Sequence, residues 1–211
     1  SGPVFISLPG DVLDREVELD MGRPVRVDAA TRPSDATLAR LADMLLASNH
    51  PVIIAGQELA AHDAFAEAAE LAELLGAAVF LSPIPYSAQF PTEHPACMGS
   101  LTRSQKQVRG LLEPYDLLFC LGADLLRMSV YSPTEPLPEN LPVIHLSERG
   151  WELGKNYRTD LAVQANVKQT LAALLPLLRA QRSAGHAAGA QKRLADFKSR
   201  NWSAQRDQAR I

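Results

Sequence analysis

Pro51-Val52-Ile53-Ile54-Ala55-Gly56-Gln57-Glu58-Leu59 is the stretch that decides the fold. Residues 52–55 form a short apolar run with no polar face, the pattern of a strand buried on both sides, and Gly56 ends it at a turn. Upstream, Pro33-Ser34-Asp35 supplies a cap for a helical stripe of Leu38, Leu41, Ala42 and Leu45 that runs out at Asn49. Downstream, the periodicity predicts a second helix over residues 60–75, burying Phe65, Ala68, Ala72 and Leu75 and leaving through Gly76 in the left-handed conformation. The alternation continues with strands at 78–81, 117–121, 143–146 and 161–163 and helices at 104–112 and 167–178. Short buried strands separated by helical segments predict an α/β fold: a Rossmann-like doubly wound parallel sheet of five to six strands, with helices on both faces and right-handed connections.

Composition narrows the function classes. The chain has 211 residues, 46% of them hydrophobic, enough for one domain with a real core plus appendages. Its net charge of -3 and the lack of a basic run interleaved with aromatics give no support to nucleic-acid binding. No apolar stretch approaches the ~20 residues a membrane span needs, and no secretory leader is read, so a cytoplasmic protein is expected. Cys97 and Cys120 are the only cysteines, without metal-ligand spacing, and Cys120 reads as a small core residue. None of the five histidines sits at metal spacing with another ligand. At the ends, residues 4–8 show a continuous strand pattern with no helix to cover it, and residues 14–26 read as a linker. Residues 180–211, with Leu194, Phe197 and Trp202 among many charges, read as an amphipathic linker helix.

A long proline-stiffened loop contains Gln89-Phe90-Pro91-Thr92-Glu93-His94-Pro95, followed by Met98-Gly99-Ser100-Leu101. Together with Gly2-Pro3-Val4-Phe5-Ile6-Ser7-Leu8-Pro9-Gly10-Asp11-Val12, it resembles the thiamine-diphosphate-dependent decarboxylase and acetolactate-synthase superfamily, most closely its benzoylformate decarboxylase branch. The resemblance implies a three-domain enzyme that holds thiamine diphosphate and Mg2+ between its first and third domains across a dimer interface. Residues 1–30 would then be the end of the pyrimidine-binding domain plus a linker, 31–180 the middle domain, and 181–211 a linker toward the pyrophosphate-binding domain. The family's Glu that activates the pyrimidine ring and its magnesium-holding Gly-Asp-Gly stretch are missing here. The isolated chain is accordingly expected to be inactive and to carry no cofactor. Its implied partners are the other two domains, a small 2-oxo acid, and further copies in a homodimer or homotetramer.

The resemblance also singles out Gly122-Ala123-Asp124-Leu125-Leu126-Arg127-Met128-Ser129-Val130-Tyr131-Ser132-Pro133, after the central strand. Benzoylformate decarboxylases carry Gly-Ala, an Arg and Tyr-x-Pro in the same order and place a proton-transfer His where this chain has Ser129. A Ser hydroxyl cannot shuttle protons near neutral pH as an imidazole does. Ser129 therefore marks either a change of chemistry or a solvated loop position. Arg127 has the donors to clamp a carboxylate, but we read Arg127 and Tyr131 as holding their own loop. Related enzymes bind FAD or ADP on this domain, which leaves a nucleotide-binding regulatory module as the alternative. Against it stand the single glycine of Ala55-Gly56-Gln57-Glu58-Leu59 and the negative charge of Glu58 where a pyrophosphate would sit. Thr102, Arg103 and Ser104 at a helix start have the groups to hold a phosphate. His94 is expected to lock its own loop through backbone hydrogen bonds.

Overall fold

Ser34 starts the first long helix as its sequence predicts: the side-chain oxygen accepts from the Thr37 amide at 3.3 Å, and helix α2 spans Asp35–Ala47. The computed structural model describes residues 3–25, 27–28, 30–128 and 130–209. Among the described residues, only the four-residue helix α1, Gly10–Leu13, lies before α2. After it come β1 (Pro51–Ala55), α3 (Glu58–Ala61), α4 (Phe65–Leu75), β2 (Ala78–Leu81) and β3 (Cys97–Ser100). The chain continues through α5 (Gln105–Leu112), β4 (Leu117–Leu121), β5 (Val143–Ser147), β6 (Leu161–Gln164), α6 (Val167–Gln181), α7 (Ala184–Phe197) and α8 (Trp202–Ala209).

The six strands are all parallel, in the order β3-β2-β1-β4-β5-β6. Strands β1, β4 and β5 are buried along their whole length, which requires cover on both faces. Edge strand β6 instead alternates buried and exposed. Helices α2, α6, α4 and α7 pack side by side in that order, while α5 lies in the connection from β3 to β4. The fold class read from the sequence is therefore the one observed.

Four local readings differ. The helix expected at 60–75 is two helices, because Asp63 adopts a left-handed conformation (φ 49) and its carbonyl accepts from the Lys168 ammonium. Strand β3 is an addition to the expected strands, since Cys97-Met98-Gly99-Ser100 carries a glycine and none of the β-branched residues that mark strands. Residues 4–8 pair with no strand among the described residues; Phe5 is 91% exposed, and a lone strand without a ladder is not stable.

The fourth difference is the C-terminal segment, which forms two helices rather than one. Helix α7 docks on α4 through a cap supplied in trans. Gly76 ends α4 in the left-handed conformation (φ 58), and Arg193 donates to the carbonyls of Leu75 (2.7 Å) and Gly76 (3.1 Å). A Cβ on Gly76 would lie 2.5 Å from the Ala190 Cα, so the glycine also permits the close approach of the two helices.

Candidate functional site

In an open parallel sheet, ligands collect where the chain reverses its direction of strand addition. Here that point lies between β1 and β4, from which the chain winds outward to β3 on one side and β6 on the other. The turn after β1 and the turn after β4 press directly on each other. The Gly56 amide donates to the Leu121 carbonyl at 3.0 Å, and the Glu58 amide to the Gly122 carbonyl at 3.1 Å. A Cβ on Gly56 would sit 2.2 Å from the Gly122 carbonyl oxygen and 2.3 Å from the Ala123 Cα. The single glycine of this turn makes room for the neighbouring backbone.

Glu58 is 6% exposed, and its carboxylate points along the strand ends to β5. It accepts from the Ser147 hydroxyl (2.6 Å), the Glu148 amide (3.0 Å) and Arg149 Nε (3.2 Å). Arg149 Nη2 also pairs with Asp124 on the turn after β4, tying three strand ends together through one guanidinium. Burial works against the charge on Arg149, but Asp124 and Glu58 outweigh it and raise its pKa. Farther out, His62 pairs with Glu148 at 2.6 Å, and Asn166 donates to the same carboxylate at 2.8 Å. What remains open beside the switch point is a cavity of about 10 Å³ among Gln57, Ser82, Gln89 and Asp124, room for one water.

Beneath the Ala123 turn lies His145, fully buried, with Nε2 donating to the Ala123 carbonyl at 2.9 Å and Nδ1 without a hydrogen-bond partner among the described residues. Cys120, also buried, directs its thiol to the same carbonyl, and burial raises its pKa. Burial pushes the His145 pKa below the ordinary value, against smaller raising effects from Ala123, Glu58, Asp124 and Glu152. The unfolded chain takes up this proton as pH falls through ~6.5, whereas the folded chain resists it until lower pH. Stability from this group is thus full above that value and is lost as pH drops toward the folded pKa. Urea unfolding of wild type should show a midpoint that falls between pH 7.5 and 5.5, with a smaller fall in His145→Gln; equal slopes would show that His145 titrates alike in both states.

The sequence-predicted loop leaves this network at Leu126, which is held at positive φ (46). Arg127 Nη1 reaches the Tyr86 hydroxyl at 3.4 Å and Asp124 at 3.5 Å, so it ties the loops after β2 and β4 together; among the described residues it bonds no backbone carbonyl. Tyr131 is 90% exposed, and Ser129 lies outside the described residues. Arg127 and Tyr131 border a recess of about 410 Å³ with Gln105, Asn156 and Tyr157. Gln105 donates to the Val130 carbonyl at 3.0 Å and Arg109 to those of Glu135 and Leu137, both at 3.2 Å, fixing the loop to α5. His94 does lock its own loop: Nδ1 accepts from the Ala96 amide at 3.1 Å, Nε2 meets Glu73 at 3.2 Å, and the ring stands edge-on to Phe90. At the start of α5, Thr102 Oγ1 accepts from the Ser104 amide at 3.2 Å, and Ser104 provides no side-chain cap.

Among the described residues, no group of three or more His, Cys, Asp or Glu side chains could hold a metal ion, and no helix is long and apolar enough to cross a membrane. The switch-point crevice is filled by Glu58 and the Ala123 turn. Sequence reasoning missed Arg149, Asp124, Ser147 and Glu148. The available signal was that polar or charged residues follow directly on the apolar runs at 117–121 and 143–146.

Residues 38–174 match the family described as thiamine pyrophosphate enzyme, central domain. The chain is 28% identical to benzoylformate decarboxylase of Pseudomonas aeruginosa over 84% of its own length and 34% of the relative's. It is 30% identical to the acetolactate synthase isozyme 1 large subunit of Escherichia coli over 85% of its length and 32% of that protein. Among solved structures, a thiamine diphosphate-dependent 4-hydroxybenzoylformate decarboxylase of Rhodococcus jostii superposes with a TM-score of 0.67 and 31% identity, covering 76% of this chain and 30% of that one. The chain thus spans about a third of the length of the relatives it matches.

Proposed function

Because the chain belongs to the thiamine pyrophosphate enzyme central-domain family, we propose that it serves as the middle domain of a 2-oxo acid decarboxylase or carboligase, with an architectural and interdomain role and no catalysis of its own. The observation that carries this reading is Glu58, seated at the switch point on Ser147, Glu148 and Arg149, where a nucleotide-binding sheet would admit a pyrophosphate. Chemistry then comes from pyrimidine- and pyrophosphate-binding domains, which supply the thiamine diphosphate and Mg2+ sites, in a cytoplasmic homodimer or homotetramer. The loop carrying Arg127, Ser129 and Tyr131 is the part of this domain that would face the reacting 2-oxo acid. Ser129 in the place of a proton-transfer His means that another group supplies the proton.

Titration with FAD and with ADP tests this reading against a nucleotide-binding module of the same fold. The purified chain should be colourless and give no saturable signal with either ligand. A flavin absorbance that survives gel filtration, or a micromolar ADP isotherm, would show that the turn at Gly56 opens to a nucleotide.

A further inference from the structure

Away from the strand ends, a groove of about 500 Å³ runs along the β3 edge of the sheet, between α5 and the C-terminal helices α7 and α8. Its volume lies in the range of small-molecule sites, roughly 300–1,000 Å³. Its apolar wall is formed by Phe80 on β2, Met98 on β3, Phe197 on α7 and Leu111 on α5. Phe80 and Phe197 are buried, and Phe80 meets the Tyr115 ring edge to face at 6.4 Å, so much of that wall is rigid. Leu111, in contrast, is a large apolar side chain left 39% exposed on the same groove. Flat faces and edges of this kind suit a flat apolar body.

Two of the polar groups on the lining, Tyr115 and Arg200, have unused capacity and lie beside the apolar wall. Among the described residues, the Tyr115 hydroxyl makes no hydrogen bond, and Arg200 stacks on the Phe197 ring at 5.3 Å with no carboxylate in ion-pair range. They act on the same space: burial raises the Tyr115 pKa, and the positive charge of Arg200 partly opposes that rise. Arg193, also on the lining, already spends Nε and Nη2 on the carbonyls of Gly76 and Leu75. Asp196 contributes one negative charge to the same wall, which limits how much anionic charge the groove can accept.

We propose that this groove is a binding site for a monocarboxylate with a flat apolar body, the body lying against Phe80, Met98, Leu111 and Phe197 and the carboxylate meeting Arg200 and the Tyr115 hydroxyl. The site shares no lining residue with the small cavity at the switch point or the recess beside Tyr131, and it stands whether or not the role proposed above holds.

The test titrates the isotopically labelled chain with 2-naphthoate, followed by amide NMR shifts. Its uncharged counterpart 2-naphthalenemethanol and inorganic phosphate serve as comparisons. Saturable shifts at groove residues are expected with naphthoate, and binding at least tenfold weaker with the alcohol or with phosphate. Arg200→Gln should weaken naphthoate about tenfold and Tyr115→Phe by a few-fold, through loss of hydrogen bonds to a charged group. Arg200 is exposed, so its variant tests the contact without disturbing the core. Absence of saturation at millimolar naphthoate, equal binding of the alcohol, unchanged affinity in Arg200→Gln, or shifts centred outside the groove would each overturn the assignment.

Discussion

Glu58→Ala should lower the free energy of unfolding by about 3 kcal/mol, the scale on which removal of one partner from a buried ion pair destabilises a fold. The reason lies in what is left behind. The Ser147 hydroxyl, the Glu148 amide and Arg149 Nε all lose their acceptor in a region where Glu58 is only 6% exposed. Water can reach the half-buried Arg149 more readily than it can reach Ser147, which is fully buried. Glu58→Gln keeps one carbonyl oxygen as an acceptor and should recover part of the loss, although its amide group faces the Arg149 guanidinium or the Glu148 N–H as a donor. Urea unfolding with an unchanged m-value reads the difference. A loss below about 1 kcal/mol for the alanine variant, the level of an exposed ion pair, would mean that Glu58 is not the anchor of the strand ends.

The second large effect is steric. Gly56→Ala places a methyl group 2.2 Å from a carbonyl oxygen and 2.3 Å from a Cα, both backbone atoms of the turn after β4, so no side-chain rotation can relieve the overlap. The turns must separate, which breaks the bonds from Gly56 to Leu121 and from Glu58 to Gly122. We expect a loss of about 3 kcal/mol or more, at the upper end for overpacked sites. Gly110 is the internal control. It lies within α5 with nothing within 4 Å of an added Cβ, so Gly110→Ala should stabilise the chain by roughly 0.5–1 kcal/mol through helix propensity. Opposite signs at the two glycines would show that the switch point is closed by contact; similar small effects would show that it is loose.

Each element is legible in the sequence to the extent that a local force sets it. Where burial on both faces imposed a continuous apolar run, as at Pro51–Ala55, Leu117–Leu121 and Val143–Ser147, the strands were legible to within a residue. Caps with a local chemical signature, Ser34 and Gly76, were legible for the same reason. Strand β3 was not, because its place in the sheet comes from pairing with β2 across a long loop rather than from its own residues. The split between α3 and α4 depends on Lys168, more than a hundred residues away, holding the Asp63 carbonyl. The site shows the same division. Glu58 was visible as a negative charge in the wrong place for a phosphate, but its partners Ser147 and Arg149 are brought to it only by the pairing of β4 with β5. Arg127, expected to hold its own loop, meets Asp124 of that loop and also reaches Tyr86 after β2, a partner brought close only by the pairing of β1 with β2 and β4.

In the proposed role this domain supplies architecture and leaves the cofactor to its neighbours. Calorimetric titration of the purified 211-residue chain with thiamine diphosphate in the presence of Mg2+ tests it most directly. No saturable heat is expected, since the switch-point crevice is filled by Glu58 and its partners. A one-site isotherm with a micromolar dissociation constant would contradict it and place a cofactor site on this chain.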